Sequence, residues 1–344
     1  MNIVITVDPE IPVPPKLYGG IERIADFLIK GLIKKGHQVT LFAHRDSNVD
    51  CNFIPYPGLT SRSKMDVFKN IWTVSAEIPQ NADIIHSFGR IAYLAFHLPK
   101  RIPKIMSYQR EPSLKMVRQA MLLARKNTLA FTGCSNYISD QIKPFAPAYT
   151  VYNGVPAETY SFSENVKSNA PLVFLGRIEH IKGAHTAIEI ALKTGRQLII
   201  AGNIPGDAQS QEYFNSKIKP FIDGKQINYV GPVNDTQKNE LLGQAAAFLM
   251  PIHWNEPFGI VMAEAMACGT PLIGFNRGSV PEVVRHGLNG FVCNDTDSMI
   301  DSVKNISMIS RKNVYDDFLN RFSADVIVEN YINLYKNRIG GLRD

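Results

Sequence analysis

The chain has 344 residues, 45% of them hydrophobic and 20% charged, an ordinary globular composition that excludes fibrous and disordered classes. At roughly 150 residues per domain, that length holds two domains, each able to bury a core. The modest net charge of +6 suits a nucleotide diphosphate or an anionic membrane surface; an ordinary surface balance is the alternative. No basic run is interleaved with aromatics, which excludes a nucleic-acid signature, and no apolar run approaches the ~18 residues that span a bilayer.

The N-terminal stretch has no basic flank and no small-residue cleavage site, so Ile3 to Val7 reads as a first parallel strand rather than a signal peptide. A loop rich in proline (Pro9, Pro12, Pro14, Pro15) leads to Tyr18-Gly19-Gly20-Ile21-Glu22-Arg23 and a helix to about Lys35. Ile21, Ile24, Ala25, Leu28, Ile29 and Leu32 give that helix an apolar face. Gly19 and Gly20 fit an anion site at a helix start or a plain tight turn. There is no Gly-x-Gly-x-x-Gly, so this is not the dinucleotide fingerprint. Gly36-His37 ends the helix and Gln38 to Ala43 is the second strand. A later strand ends at His86, on the carboxyl edge where open α/β sheets bind ligands; a structural histidine is the alternative. Another strand leads to Ser107-Tyr108-Gln109, followed by Arg110 and Glu111. Ser113 to Lys126 reads as a helix with Lys115, Arg118, Arg125 and Lys126 beside Met116, Met121, Leu122 and Leu123, either a dock for anionic lipid or a solvated amphipathic helix. Ala130 to Cys134 is a strand, Ser135 caps a helix from Asn136 to Ile142, and Asn153-Gly154-Val155-Pro156 closes the first half. The polar run Ser161 to Asn169 reads as a linker.

The second half restarts the pattern with a strand from Leu172 to Leu175, the turn Gly176-Arg177-Ile178-Glu179-His180-Ile181-Lys182-Gly183, and a helix from Ala184. Arg177 can grip phosphate oxygens bidentately and Lys182 adds a point charge; both are expected to face solvent. An ordinary basic surface turn is the alternative. Strands follow at Gln197 to Ala201, ending in Gly202, and at Ile227 to Val230. The apolar strand Ala246 to Met250 ends in a polar loop containing Glu256. A helix is expected to begin near Phe258, with Pro257 in its first turn, and to stop at Gly269 and Pro271. Glu264 then lies about 9 Å along the axis. Free N–H groups at such a helix start, with Gly259 allowing close approach, suit a diphosphate. Two carboxylates at different heights suit a ribose and a hexose; the alternative is a capping Glu256 and a solvated Glu264. The last helix runs from Ala324 to Arg338.

Residues 251–290 resemble the donor-site motif of the family 4 glycosyltransferases, retaining enzymes of the two-domain GT-B fold. The pattern Glu-x-Phe-Gly, a second Glu, then Ala-Met-Ala-x-Gly-x-Pro is matched by Glu256, Phe258, Gly259, Glu264, Ala265, Met266, Ala267, Gly269 and Pro271. The family's Gly-Arg-x4-Lys-Gly is matched at Gly176, Arg177, Lys182 and Gly183, and its Gly-Gly turn at Gly19 and Gly20. Many members end a first-domain strand in Thr-x-His, where this chain has Ser107-Tyr108-Gln109; Gln109 can hydrogen-bond a hydroxyl but carries no proton at neutral pH.

The resemblance implies an α/β chain of two Rossmann-like, doubly wound parallel-sheet domains facing a central cleft. Residues 1–156, joined by a terminal helix at about 325–344, would be the acceptor side, and 157–324 the donor side. It implies a sugar transferred from a nucleotide-diphosphate sugar, UDP favoured over GDP or ADP. Arg177, Lys182 and Glu256 would be catalytic. Gly19, Gly20, His86, Gln109, Arg110, Asn153, Gly202, Val230, Pro257, Phe258, Gly259, Ile260 and Glu264 would join them in binding, with Glu264 on the ribose and Glu256 on the sugar. No cluster of carboxylates or histidines at ligand spacing is present, so neither metal nor cofactor is expected. Cys51, Cys134, Cys268 and Cys293 are scattered, as expected of free thiols in a reducing cytosol. The acceptor would be a sugar, a lipid-linked group or a small molecule, with a peripheral membrane contact open. A nucleotide-sugar hydrolase or epimerase and a non-catalytic sugar-nucleotide-binding subunit are the rival readings.

Overall fold

In a computed structural model of the chain, residues 1–16 and 19–342 are described. The chain divides into two compact units, Met1–Gly154 with Ala324–Asp344, and Val155–Ser323.

The first unit is built on strands β1 (Asn2–Thr6), β2 (Gln38–Ala43), β3 (Asn52–Pro55), β4 (Ile84–Ser87), β5 (Lys104–Tyr108), β6 (Leu129–Gly133) and β7 (Ala148–Thr150). They form one parallel sheet in the order β3-β2-β1-β4-β5-β6-β7. Ile3, Val4 and Ile5 on β1 and Ile84 and Ile85 on β4 are buried, as continuous apolar runs covered on both faces should be. Winding reverses between β1 and β4, where Ile5 pairs with His86. The loops leaving those two strands therefore open a crevice at the carboxyl edge. The terminal helix Ala324–Gly340 packs along the helix Gly20–Lys34, with Lys35 and Glu329 paired at 3.3 Å. Tyr331 and Tyr335 of that helix are buried.

The sequence reading missed a helix, Lys64–Glu77, whose N-terminus is capped by Ser63 accepting from the Asp66 N–H at 3.2 Å. Its Met65, Phe68 and Trp72 are exposed, and Trp72 meets Phe96 edge-on at 6.3 Å. The helix expected over 113–126 is shorter, Leu114–Leu123, with Ser113 as its cap.

The second unit repeats the plan with β8 (Leu172–Leu175), β9 (Leu198–Ala201), β10 (Ile227–Gly231), β11 (Ala247–Met250), β12 (Leu272–Phe275) and β13 (Gly290–Cys293). Their order is β10-β9-β8-β11-β12-β13, all parallel. Here the winding reverses between β8 and β11, so the loops after those strands share the carboxyl-edge crevice. Arg311 ties the back of this unit together: its guanidinium donates to the carbonyls of Ser163, Ala245, Gly243 and Cys268 and to the Thr270 hydroxyl.

Candidate active site

The two loops at the β8/β11 reversal are the two that carry the basic turn and the first glutamate. They press together at a glycine. Gly183 has φ 80°, and a Cβ there would lie 1.9 Å from the Pro251 carbonyl oxygen, so no other residue lets the loops meet this closely. The His253 N–H donates to the Ile181 carbonyl at 2.8 Å, a second tie. Across this junction Lys182 Nζ donates to Glu256 Oε2 at 2.7 Å, with the two side chains only 17% and 11% exposed. The Trp254 indole N–H donates to the same oxygen at 3.0 Å, and the Lys182 ammonium lies 4.6 Å from the centre of the Trp254 ring. Lys182 is thus a partner of Glu256 rather than the solvent-facing cation expected. Arg177 does face solvent, paired with Glu179 at 3.0 Å. Beside them the rings of His180, His185 and His253 stack, with centroids 4.9 to 5.7 Å apart, and the Tyr213 hydroxyl lies 2.7 Å from His185 Nδ1.

The helix after this loop is Ile260–Ala267, starting two residues later than the sequence suggested. Gly259 is its N-cap at φ 71°, a left-handed conformation that ends the loop, so Pro257 and Phe258 lie outside the helix. The loop is held from behind: Ser279 donates from its N–H to the Glu256 carbonyl at 2.9 Å and from its hydroxyl to the Phe258 carbonyl at 3.0 Å. Phe258 is buried edge-on against Phe322. Ile260 is the first helical residue, which sets Glu264 about 6 Å along the axis, not 9.

Glu264 is buried rather than solvated. Its Oε1 accepts from the Tyr160 hydroxyl at 2.9 Å and from Lys238 Nζ at 2.5 Å; Lys238 also pairs with Asp235 at 3.1 Å. Trp254, Tyr160 and Lys238 were not among the expected site residues. Trp254 could have been found by its place two residues before Glu256. Nothing in the local pattern links Tyr160 or Lys238 to Glu264.

Elsewhere in the second unit, Gly202 spends its N–H on the Gly231 carbonyl and its carbonyl on the Tyr229 hydroxyl, each at 2.8 Å. Val230 is exposed on the edge strand β10. In the first unit, Gly19 is the buried N-cap of the helix that Gly20 opens. Asn153 is buried at the end of that unit's first segment. His86 is buried completely: Nδ1 lies 2.6 Å from the Tyr335 hydroxyl and Nε2 2.6 Å from the Ser107 hydroxyl. Burial pushes its pKa down to about 3, so it is a neutral ring with both nitrogens occupied. Gln109 is half-buried with Oε1 out of water, and Arg110 is exposed. The carboxyl-edge groups the sequence did not single out are Asp8, bonded to Arg90 at 3.2 Å, and Glu22; burial raises the pKa of both. Among the described residues, no group of three or more His, Cys, Asp or Glu side chains is arranged to hold a metal ion, and no helix is long and apolar enough to cross a membrane.

Two family models match the chain: "Glycosyltransferase Family 4" over residues 18–159 and "Glycosyl transferases group 1" over residues 157–322. Among curated proteins the chain is similar to spore coat protein SA of Bacillus subtilis (strain 168), 24% identical over 98% of this chain and 100% of that protein. It is also similar to N-acetyl-alpha-D-glucosaminyl L-malate synthase of Bacillus anthracis, 25% identical over 76% of each. Among solved structures it shares its fold with Anabaena Alr3699/HepE, crystallised in complex with UDP, at a TM-score of 0.76 and 18% identity, over 98% of this chain and 100% of that one. The same protein has been crystallised with UDP-glucose.

Proposed function

The chain belongs to the family 4 glycosyltransferases of GT-B type, and on that premise we propose that it moves a sugar from a UDP-sugar to an acceptor hydroxyl, with retention of configuration and without a metal ion. The observation that carries this reading is the Lys182–Glu256 pair at the β8/β11 reversal, with Arg177 on the same turn. Breaking the bond between the sugar and the diphosphate leaves negative charge on the β-phosphate. Arg177, Lys182 and the amides at Phe258 and Gly259 stabilise that charge as it develops. Glu256 keeps Oε1 for a sugar hydroxyl, while Oε2 is taken by Lys182 and Trp254. Glu264 serves the ribose. UDP is favoured because HepE has been crystallised with UDP and with UDP-glucose.

In a front-face reaction the acceptor oxygen bonds to the anomeric carbon on the face the diphosphate leaves, and a donor phosphate oxygen takes the acceptor proton. That route needs no protein base, and it accommodates Gln109 where relatives carry a histidine. A thermal-shift screen of UDP-, GDP- and ADP-sugars, followed by turnover with an acceptor panel in excess chelator, tests the reading. UDP-sugars should give the largest shift, and the product should keep the donor's anomeric configuration. Fast donor breakdown without acceptor would replace it with the hydrolase reading, and binding without turnover with the non-catalytic one.

We place a peripheral membrane contact on the first unit. Residues 91–126 hold eight Lys and Arg, seven of them exposed and Lys104 buried, against one acidic residue, Glu111. Leu122 is 86% exposed, and Leu123, Phe96, Trp72, Phe68 and Met65 are exposed as well. Exposed apolar side chains among lysines and arginines suit an anionic lipid surface.

A further inference from the structure

We propose that Lys238 is a specificity residue that reads the nucleotide's ribose diol together with Glu264, a reading that rests on Glu264 being the ribose acceptor. The inference starts from how little of the Glu264 carboxylate remains free. Oε1 already accepts from Tyr160 and from Lys238, while Oε2 makes no hydrogen bond to the described residues. Each hydroxyl of a vicinal diol has a proton to give and an oxygen that seeks a donor. With one carboxylate oxygen occupied, Oε2 takes the proton of one hydroxyl, and the other hydroxyl's oxygen needs a donor close by.

Lys238 is that donor. Its ammonium has three N–H groups; one goes to Glu264 at 2.5 Å and one to Asp235 at 3.1 Å. The third has no partner among the described residues. The side chain is nearly buried, held beside the Tyr160 ring at 5.7 Å from its centre. The constellation is also braced. Lys238 lies on the helix Asp235–Gln244 and Glu264 on Ile260–Ala267. Arg311 binds the carbonyls of Gly243 and Ala245 at the end of the first helix and of Cys268 at the end of the second. A lysine that merely neutralised Glu264 would need none of this to face a ligand. The diol reading makes a different demand: removing either hydroxyl from the nucleotide should cost binding through Lys238.

The test is calorimetry on the intact protein with UDP, 2′-deoxy-UDP and 3′-deoxy-UDP. Wild-type protein should bind at least one deoxy analogue about tenfold or more weaker than UDP, the loss of a charge-assisted hydrogen bond. Lys238→Met should shrink that ratio to about threefold or less, and Lys238→Arg should retain part of it. Tyr160→Phe should weaken UDP without changing the ratio. Wild-type protein that binds both deoxy analogues as tightly as UDP overturns the proposal without any variant being needed. So does folded Lys238→Met with an unchanged ratio. Glu264→Gln separates the two layers. If it weakens UDP while Lys238→Met keeps the ratio, only the role of Lys238 fails. If Glu264→Gln leaves UDP and both analogues unaffected, the ribose reading itself fails.

Discussion

Lys182 and Glu256 hold one another across the two loops of the β8/β11 reversal, Nζ to Oε2 at 2.7 Å, and Trp254 donates to the same oxygen. On the proposed function, a diphosphate would have to compete with this carboxylate for the lysine. The pair also has a structural share, because both side chains are nearly out of water. Lys182→Met should slow turnover by the equivalent of about 2.7–4 kcal/mol, as loss of a preorganised donor does. It should also lower stability, by no more than about 3 kcal/mol, since a nearly buried partner is left behind. In the double-mutant cycle with Glu256→Gln, denaturant melts should give a coupling of about 0.5–3 kcal/mol. Arg177→Ala is the control. Its guanidinium is exposed, so turnover should fall with stability barely changed. Normal turnover in either single variant removes that residue from the mechanism.

The two glutamates should separate by ligand. Glu264→Gln should weaken UDP and the UDP-sugar by similar factors, because both carry the ribose. Glu256→Gln should leave UDP affinity nearly unchanged and lower turnover. Each loses a charge-assisted hydrogen bond worth about 1.5–3 kcal/mol, well within the reach of calorimetry. The reverse pattern would mean that the two roles are exchanged.

The parts of this protein that were legible in the sequence are those fixed by neighbours along the chain. The helix Asn136–Ile142 was placed to the residue because its cap, Ser135, stands directly before it and accepts from the Ile138 N–H. The basic turn and the two glutamates were legible because their spacing is local. Partners brought in by tertiary folding were not. Tyr160 is 104 residues from Glu264, and Lys238 is 26. The helix Lys64–Glu77 escaped for a different reason: it buries only Asn70 and Val74 and turns Met65, Phe68 and Trp72 outward, so its apolar period marks no core. His86 stood in a ligand-edge position in sequence, yet the terminal helix seals it with Tyr335.

Arg311 should be among the most costly residues to lose in the second unit. Its guanidinium satisfies four carbonyls and the Thr270 hydroxyl, and no carboxylate pairs with it among the described residues. Arg311→Met would leave buried acceptors without donors, at about 1–3 kcal/mol for each group left unsatisfied. The expected outcome is a fall of about 3–5 kcal/mol in urea unfolding. Lys, with no planar fork, should rescue little of it. A loss under about 1 kcal/mol would show that water replaces the guanidinium there.

Membrane contact should depend on the exposed apolar side chains and on charge together. Flotation with vesicles of anionic phospholipid should carry the protein up, and neutral phosphatidylcholine vesicles should not. Leu122→Ser with Leu123→Ser should weaken flotation, and raising salt should weaken it further, because the Debye length shrinks from about 10 Å at 0.1 M to about 3 Å at 1 M. Equal flotation with neutral vesicles, or none with anionic ones, sets the contact aside.

Acid should destabilise the fold through its buried histidines. Burial pushes the pKa of His86 down to about 3 and, with Lys100 and Lys104 near, that of His97 to about 4. His185 is also held at about 4, by burial and by the neighbouring His180 and His253. In the unfolded chain these rings take a proton near pH 6.5. Between about pH 6.5 and 4 the unfolded state therefore binds protons that the native state refuses, so stability rises with pH and falls as the solution is acidified. The slope is at most about 1.4 kcal/mol per pH unit for each histidine, and less for the half-buried His185, which solvent screens. Asp8 and Glu22 act in the opposite sense. Burial raises their carboxyl pKa values, so the native state takes up their protons more readily and they offset part of the loss in acid. Urea midpoints at pH 7.5, 6 and 5 should fall in that order. His86→Gln should start lower, having lost two buried hydrogen bonds, and should decline less steeply over the same range. A wild-type midpoint that stays flat from pH 7.5 to 5 would mean that these rings open to solvent before they titrate.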